Sequence, residues 1–321
     1  MNSLTLYYRY VSANSYMDIL NFICTDQVEN IVVYTIFDGK ATSRQIEGIV
    51  EKQKEFSKKR RTKFRNHAVF NSSAFIDSNL KKALLMNGFV VELMLEETSR
   101  EMVKNGGKIA NSLNRYGIQN KLWVNETSDQ QAAYRLFEQN ALPVNFIKPQ
   151  YCCDLTTWFD EWLYNKSSVA VNTFTDIIMM LTLQTRSGNC RFGSCLGNTF
   201  YVDETMTFYM CPFRRDIETC LGKMEGLTNP FEMFEAENVY SIVCNSVDKR
   251  ANCAENCRNF AYCQGGCAVS NASDCQMYIK LVEHIGDSMR HIYDNRKLED
   301  VNSVVKNAIL NAVAFGSAFF K

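Results

Sequence analysis

The chain has 321 residues, its 35 lysines and arginines balance its 35 aspartates and glutamates, and 46% of its residues are hydrophobic. That length supports two domains with a sizeable core, and that composition excludes wholesale disorder. Zero net charge offers no basic field for nucleic acid, and no run reaches the ~20 apolar residues of a membrane-spanning helix, so neither nucleic acid nor membrane insertion is expected.

Taken in order, residues 1 to about 150 alternate strand and helix patterns. Short β-branched and aromatic runs recur: LTLYYRYV, NIVVYTIF, HAVFNSS, FVVELMLE, NKLWVNE and VNFIKP. Charged segments of helical period lie between most of them. SRQIEGIVEKQKEF puts Ile46, Ile49 and Val50 on one face. TSREMVKNGGKIANSLNRYG opens with Thr98 three residues before Glu101, a capping-box pattern, and Gly106–Gly107 suggests a break into two helices. SDQQAAYRLFEQN has Ser128 or Asp129 as its cap. This rhythm predicts an α/β fold with a parallel sheet, and about six units suggest a partial barrel. A closed eightfold barrel and a doubly wound sheet stay open at this point.

Asp154 to about Ser187 reads as helical, with FTDIIMMLTLQT as a packed connector. From Cys190 onward short strands, turns and cysteines take over. NTFYVDETMTFYMC predicts a hairpin that turns at Asp203–Met206, and NSVVKNAILNAVAFGSAFF predicts a closing helix. The expected domains are residues 1–187 and residues 188–321.

Cysteine is the compositional outlier. There are 13, ten of them between Cys190 and Cys275. An odd total argues against a closed set of disulfides. The N-terminus lacks the basic stretch and apolar core of a secretory signal, so a reducing cytoplasm is the expected setting, where clustered thiols bind metal more often than they pair. One group is Cys190, Cys195 and Cys211; the other is Cys253, Cys257, Cys263, Cys267 and Cys275. These eight thiols suffice for two four-iron clusters, each taking four thiolates. Zinc is the alternative, although its sites favour two-residue knuckles and no C-x2-C occurs here. Gly193, Gly197, Gly265 and Gly266 lie beside the cysteines, where glycine lets the backbone bend around a cluster and aim N–H groups at its sulfurs.

The order Cys195, YVD, Cys211-Pro212, Cys257-x5-Cys263, CQGGC and a trailing Cys275 resembles the SPASM domain, which follows the barrel in many radical-SAM enzymes that modify peptides. The resemblance covers Cys190 to Cys275. It implies a degenerate partial (β/α)6 radical-SAM-like barrel over residues 1–187 and a small Cys-rich SPASM-like iron–sulfur domain over 188–321. It also implies two auxiliary [4Fe-4S] clusters, one on Cys190, Cys195, Cys211 and Cys267 and the other on Cys253, Cys257, Cys263 and Cys275. Two departures stand out. The family has glycine in the hairpin turn where this chain has Met206, and two residues where this chain has three between Cys253 and Cys257. The second makes Cys244 a possible substitute for Cys253.

A radical-SAM enzyme also needs C-x3-C-x2-C after the first barrel strand, where three cysteines leave one iron free to chelate S-adenosylmethionine. That spacing occurs nowhere in the chain. The matching loop would lie near YVSANSYMD, which has no cysteine, and FDGKAT stands where the family has its GGE. S-adenosylmethionine is therefore not an expected cofactor, and no catalytic residue is assigned. The chain resembles pseudo-radical-SAM/SPASM proteins, and more loosely CXXX-repeat peptide maturases, of ribosomal-peptide maturation systems. That likeness implies an accessory role beside an authentic radical-SAM maturase or its precursor peptide. The alternatives are a redox-active maturase using its auxiliary clusters and a zinc-stapled interaction module.

The remaining signals have plain readings. Cys24 reads as a helix-packing residue, Cys152–Cys153 as small buried side chains, and Cys220 and Cys244 as spare thiols. The basic run FSKKRRTKFRN reads as a solvated helix end. His67, His284 and His291 read as core or surface residues. Glu96–Glu97 read as capping or surface groups.

Overall fold

The computed structural model describes residues 3–24, 28–71, 73–95, 100–124, 144–146, 155–165, 171–183, 197–212, 214–227, 229–230, 232–235, 237–263, 265–268 and 272–320. The chain forms two compact units, Met1–Trp123 with Leu196–Val243 and Val124–Cys195 with Cys244–Lys321. Each unit takes two stretches of chain.

In chain order the first unit begins β1 (Ser3–Arg9), α1 (Ala13–Ile23), β2 (Asn30–Phe37), α2 (Ser43–Arg60), β3 (Lys63–Asn71), α3 (Ser78–Met86), β4 (Val90–Leu95), α4 (Arg100–Arg115) and β5 (Asn120–Val124). β6 (Val144–Phe146) lies in the stretch assigned to the second unit. The first unit resumes with β7 (Thr199–Val202), β8 (Thr207–Tyr209) and β9 (Cys220–Lys223). Its strands run in the order β5-β4-β3-β2-β1-β7-β8-β9. Pairing is parallel from β4 through β7 and antiparallel from β7 to β9. All six strand runs of the first 150 residues are present, and β2 has the bounds its sequence suggests.

Alternation along the strands separates the two faces of this sheet. Leu4, Leu6 and Tyr8 of β1 register with Ile31, Val33 and Thr35 of β2, and all six are buried. This face meets the helices: Tyr8 stacks on Tyr16 of α1, and Phe56 of α2 packs edge-on to Phe64 of β3. A polar joint is buried there too. The Gln53 and Asn66 amides exchange hydrogen bonds at 2.7 and 2.8 Å, and the Gln53 amide also donates to the Tyr16 hydroxyl at 2.8 Å. The opposite face carries Tyr7, Tyr34 and His67 in register across β1, β2 and β3.

α2 starts where the Thr42–Gln45 capping box satisfies its first N–H groups, and it ends at Arg61, which is left-handed (φ 54°). The basic run is thus split between the end of α2 and the start of β3. α4 is one helix through Gly106–Gly107, not two. Both glycines are buried, so the pair lets the helix pack closely instead of breaking it. The segment SDQQAAYRLFEQN and Glu96–Glu97 lie outside the described residues. The hairpin turns as expected, with Asp203 Oδ1 accepting from the N–H groups of Thr205 and Thr207. Met206 is left-handed there (φ 60°), in the conformation glycine adopts without cost.

The second unit is helical: α5 (Leu155–Tyr164), α6 (Asn172–Leu183), the later part of α7 (Glu237–Asn256), the single turn α8 (Phe260–Cys263), α9 (Ala272–Asp294) and α10 (Ser303–Ala314). Phe159, Trp162 and Phe174 form its aromatic centre, with Leu281, Ile285, Met289 and Ile309 fully buried. Asn302 caps α10 by accepting from Val305 N–H at 3.0 Å, and its amide donates to the Trp162 carbonyl at 2.7 Å. His284 pairs with Asp160 at 2.8 Å on a partly exposed surface. α7 is the element that sequence reading missed. Its cysteines and β-branched residues mask the helical period of a segment read as strands and turns. Among the described residues no helix is long and apolar enough to cross a membrane.

Candidate functional site

Two regions concentrate chemistry, one at the C-terminal end of the parallel strands and one in the cysteine-rich segment.

At the strand ends, β1 passes into α1 through only Tyr10, Val11 and Ser12. The Tyr8 hydroxyl closes this connection. It accepts from Val11 N–H at 2.9 Å and Ser12 N–H at 3.2 Å, and donates to the Ser12 carbonyl at 3.2 Å. Ser12 then caps α1 by accepting from Ser15 N–H at 3.0 Å. Arg9, at the end of β1, donates to both carboxylate oxygens of Asp38 and, at 3.0 Å, to Glu204 in the hairpin turn. Beside Asp38 a cavity of about 370 Å³ opens between the ends of β2, β3 and β4. Ile36, Gly39, Lys40, Asn71, Phe75 and Met94 are among its lining residues. The FDGKAT segment therefore forms part of a cavity wall, and its acid is already committed to an ion pair.

Inside the same unit His67 and Glu92 form a fully buried pair, Nδ1 to Oε1 at 2.7 Å. The His67 ring stacks on Tyr34 at 4.3 Å, and Tyr34 on Tyr7 at 4.4 Å. Among the described residues Glu92 Oε2 has no hydrogen-bond partner. Burial, with the Glu92 charge second, pushes the Tyr34 hydroxyl up to about 12. Sequence reading placed His67 among core or surface residues and did not single out Glu92. The accessible signal was a lone acid inside an apolar strand run.

The cysteine-rich segment carries four thiols on or beside the ends of three helices. Cys253 stands on the last turns of α7. Cys257 continues that turn, its N–H bonding to the Cys253 carbonyl at 2.9 Å. Cys263 ends α8, and Cys275 lies in the first turn of α9. The Cys263 thiol is pushed up by burial first, is eased by the Gly265 N–H, and is raised further by the Cys257 and Cys253 thiols. Cys275 is raised by burial and then by the thiols of Cys263, Cys253 and Cys257, with Lys249 acting in the opposite sense. These influences link the thiols of Cys253, Cys257, Cys263 and Cys275 electrostatically.

The intervening loop is shaped around them. Gly265 and Gly266 are both left-handed, with φ of 88° and 70°. A Cβ on Gly265 would lie 2.5 Å from Arg250 Cγ and 3.2 Å from Arg250 Cα, so α7 packs against bare backbone. Asn259 and Arg258 both donate to Glu283 of α9, tying the loop after Cys257 to the helix that carries Cys275.

Of the other expected ligands, Cys211 and Cys267 are buried in different units, while Cys190 and Cys195 lie outside the described residues. Cys152 and Cys153 also lie outside them. Cys220 begins β9 and Cys244 is half-buried on α7. Cys24 is buried at the end of α1. Among the described residues no group of three or more His, Cys, Asp or Glu side chains is arranged to hold a metal ion.

No protein-family model matches the chain, and no curated protein does. Solved structures do. Hexahistidine-tagged anSMEcpe with bound AdoMet matches with a TM-score of 0.68 at 17% identity, over 96% of this chain and 98% of its own. Native anSMEcpe with bound AdoMet matches with a TM-score of 0.69 at 17% identity, over 91% of this chain and 100% of its own. At that identity the likeness speaks for the fold alone: an α/β partial barrel of the kind those structures have.

Proposed function

We propose that this chain is an accessory, non-catalytic protein of a radical-SAM-dependent peptide modification system. It carries auxiliary iron–sulfur clusters on its C-terminal thiols and acts beside an authentic radical-SAM maturase or that enzyme's precursor peptide. The observation that carries this reading is the connection after β1. On a fold shared with AdoMet-bound structures, the segment that would have to present three cysteines is three residues long and is stitched shut by Tyr8. The Arg9–Asp38–Glu204 ion pairs supply the cohesion at that end of the sheet. The cavity next to them keeps a binding role open without supplying thiolates for a cleaving cluster.

The cysteine-rich segment fits a cluster. Four thiols influence one another, and a backbone N–H points at the sulfur of Cys263. A tetrahedral zinc site, with Zn–S near 2.3 Å, draws its sulfurs within about 4 Å of each other. A four-iron cage is larger and takes its thiolates from farther apart. When bound, such a cluster supplies one-electron redox capacity. The residues of this chain would hold Cys253, Cys257, Cys263 and Cys275 in place by helix ends and tight turns. The second cluster of the proposal rests on Cys190, Cys195, Cys211 and Cys267.

The test is to incubate anaerobically reconstituted protein with AdoMet and dithionite and to quantify 5′-deoxyadenosine. The chain alone is expected to form none above a protein-free control. Sustained formation by the isolated chain would overturn the accessory reading.

A further inference from the structure

The zero net charge of the chain conceals a sharp segregation. Residues 52–65 carry eight lysines and arginines against one glutamate, a local charge of +7, so the rest of the chain holds an excess of seven acids. The fold brings this run to the N-terminal end of the parallel strands, away from the Asp38 cavity. Lys58 and Lys59 stand on the last turn of α2, Arg61 is its left-handed cap, and Lys63 and Arg65 open β3. All five are exposed. Glu55, the one acid in the run, is engaged by Lys52 and Lys59 at 3.4 and 3.7 Å. Among the described residues the side chains of Lys58, Arg61, Lys63 and Arg65 have no hydrogen bond or ion pair. A helix C-terminus favours cations on its last turn, which accounts for Lys58 and Lys59. It does not account for β3. Lys63 and Arg65 lie two residues apart on one face of the strand, about 7 Å along the backbone, where like charges repel. Their register partners on β2, Asn30 and Val32, are uncharged, and β4 begins only opposite His67. Arg61 keeps a cation at a left-handed position that glycine occupies at less cost.

We propose that Lys58, Lys59, Arg61, Lys63 and Arg65 form a docking surface for an acidic peptide segment of a protein partner. The inference does not depend on what the thiols hold. Charge complementarity carries it: the fold leaves these cations without counter-charges, and a run of carboxylates supplies them. Each of the two guanidinium groups, Arg61 and Arg65, can grip a carboxylate through paired N–H bonds. Other anionic partners fit less well. Phe64, the aromatic residue among the cations, packs edge-on against Phe56 at 6.0 Å and is not presented for stacking on bases. Among the described residues no large apolar side chain between positions 12 and 74 is exposed, so nothing flanking the cations inserts into a lipid surface. An acidic peptide needs neither feature.

The experiment uses the full chain as wild type, K63Q/R65Q, K58Q/K59Q and K104Q/K108Q, the last pair removing two exposed lysines of α4 as a charge-matched control. Fluorescence anisotropy reads binding of a labelled oligoglutamate peptide, its oligoglutamine counterpart and a single-stranded oligonucleotide, and co-sedimentation reads binding to phosphatidylcholine vesicles containing phosphatidylserine. Wild type is expected to bind oligoglutamate but not oligoglutamine, more weakly as salt rises. K63Q/R65Q should weaken that binding roughly tenfold, K58Q/K59Q should weaken it as well, and K104Q/K108Q should match wild type. K63Q/R65Q should also unfold at a temperature no lower than wild type, because the fold pairs nothing with the charges removed. A lower midpoint, or failure to fold, would show that the cations serve the fold and overturns the proposal. So does absence of oligoglutamate binding, equal affinity in wild type and K63Q/R65Q, or an equal loss in the α4 control. Tighter binding to the oligonucleotide or the vesicles than to oligoglutamate overturns it by assigning the surface to that partner instead.

Discussion

Replacing Tyr8 with Phe tests how firmly the connection after β1 is closed. The ring stays, so its stacking on Tyr16 and its full burial are kept and no cavity is made. Only the hydroxyl goes. It makes three hydrogen bonds, one at 2.9 Å and two at 3.2 Å, which uses its single proton and both lone pairs. A well-formed bond contributes about 1 kcal/mol net, and the two longer ones contribute less. The N–H groups of Val11 and Ser12 are left unpaired in a half-buried turn that water can partly reach. Together these terms predict a loss of about 2 kcal/mol. Urea unfolding of wild type and Y8F, read at constant slope, measures the loss. Hydrogen exchange over residues 8–20 localises it, since the Val11 and Ser12 amides should exchange faster in Y8F. A loss below about 0.5 kcal/mol with unchanged exchange would show that the hydroxyl does not close the turn, because that lies well under a single hydrogen bond.

Three further outcomes are expected. Met206→Gly relieves a left-handed residue costing about 1–2 kcal/mol, partly offset by the extra freedom of glycine when unfolded, so thermal unfolding should show a net gain of about 0.5–1 kcal/mol; a loss of stability would refute the strain argument. Asn302→Ala removes the α10 cap and leaves the Trp162 carbonyl without its donor, for a cost of about 2–3 kcal/mol by denaturation, and Asn302→Asp, which keeps the cap, should recover part of it. Burial pushes the Cys24 thiol up to about 12 from an ordinary 9.0, so the folded state holds this proton more tightly than the unfolded state. Stability from this group is then full below about pH 9 and is lost as pH rises toward 12. In folded protein at pH 8 Cys24 should resist alkylation, and C24A should flatten part of the decline in stability measured between pH 9 and 10.5.

Much of this architecture was legible in the sequence because it is written in period. The alternation in NIVVYTIF fixed β2 to the residue, since a strand with one face on helices must alternate. The hairpin was legible from Asp203 and its flanking aromatic runs. Period fails where cysteine replaces it. In α7 cysteines and polar residues interrupt the apolar positions, so the helical stripe is faint and the segment reads as irregular. Gly106–Gly107 misled for another reason: glycine weakens a helix locally, but a buried pair can be kept for close packing. The cavity wall at Asp38–Lys40 and the His67–Glu92 pair depend on strand register that no single segment reveals.

What the C-terminal thiols hold decides between a cluster-bearing protein and a zinc-stapled one. Iron quantification on anaerobically reconstituted protein, with Mössbauer spectra to identify the centres, measures this directly. About eight irons per chain in four-iron centres is the predicted result. A colourless chain with stoichiometric zinc and no iron would contradict it.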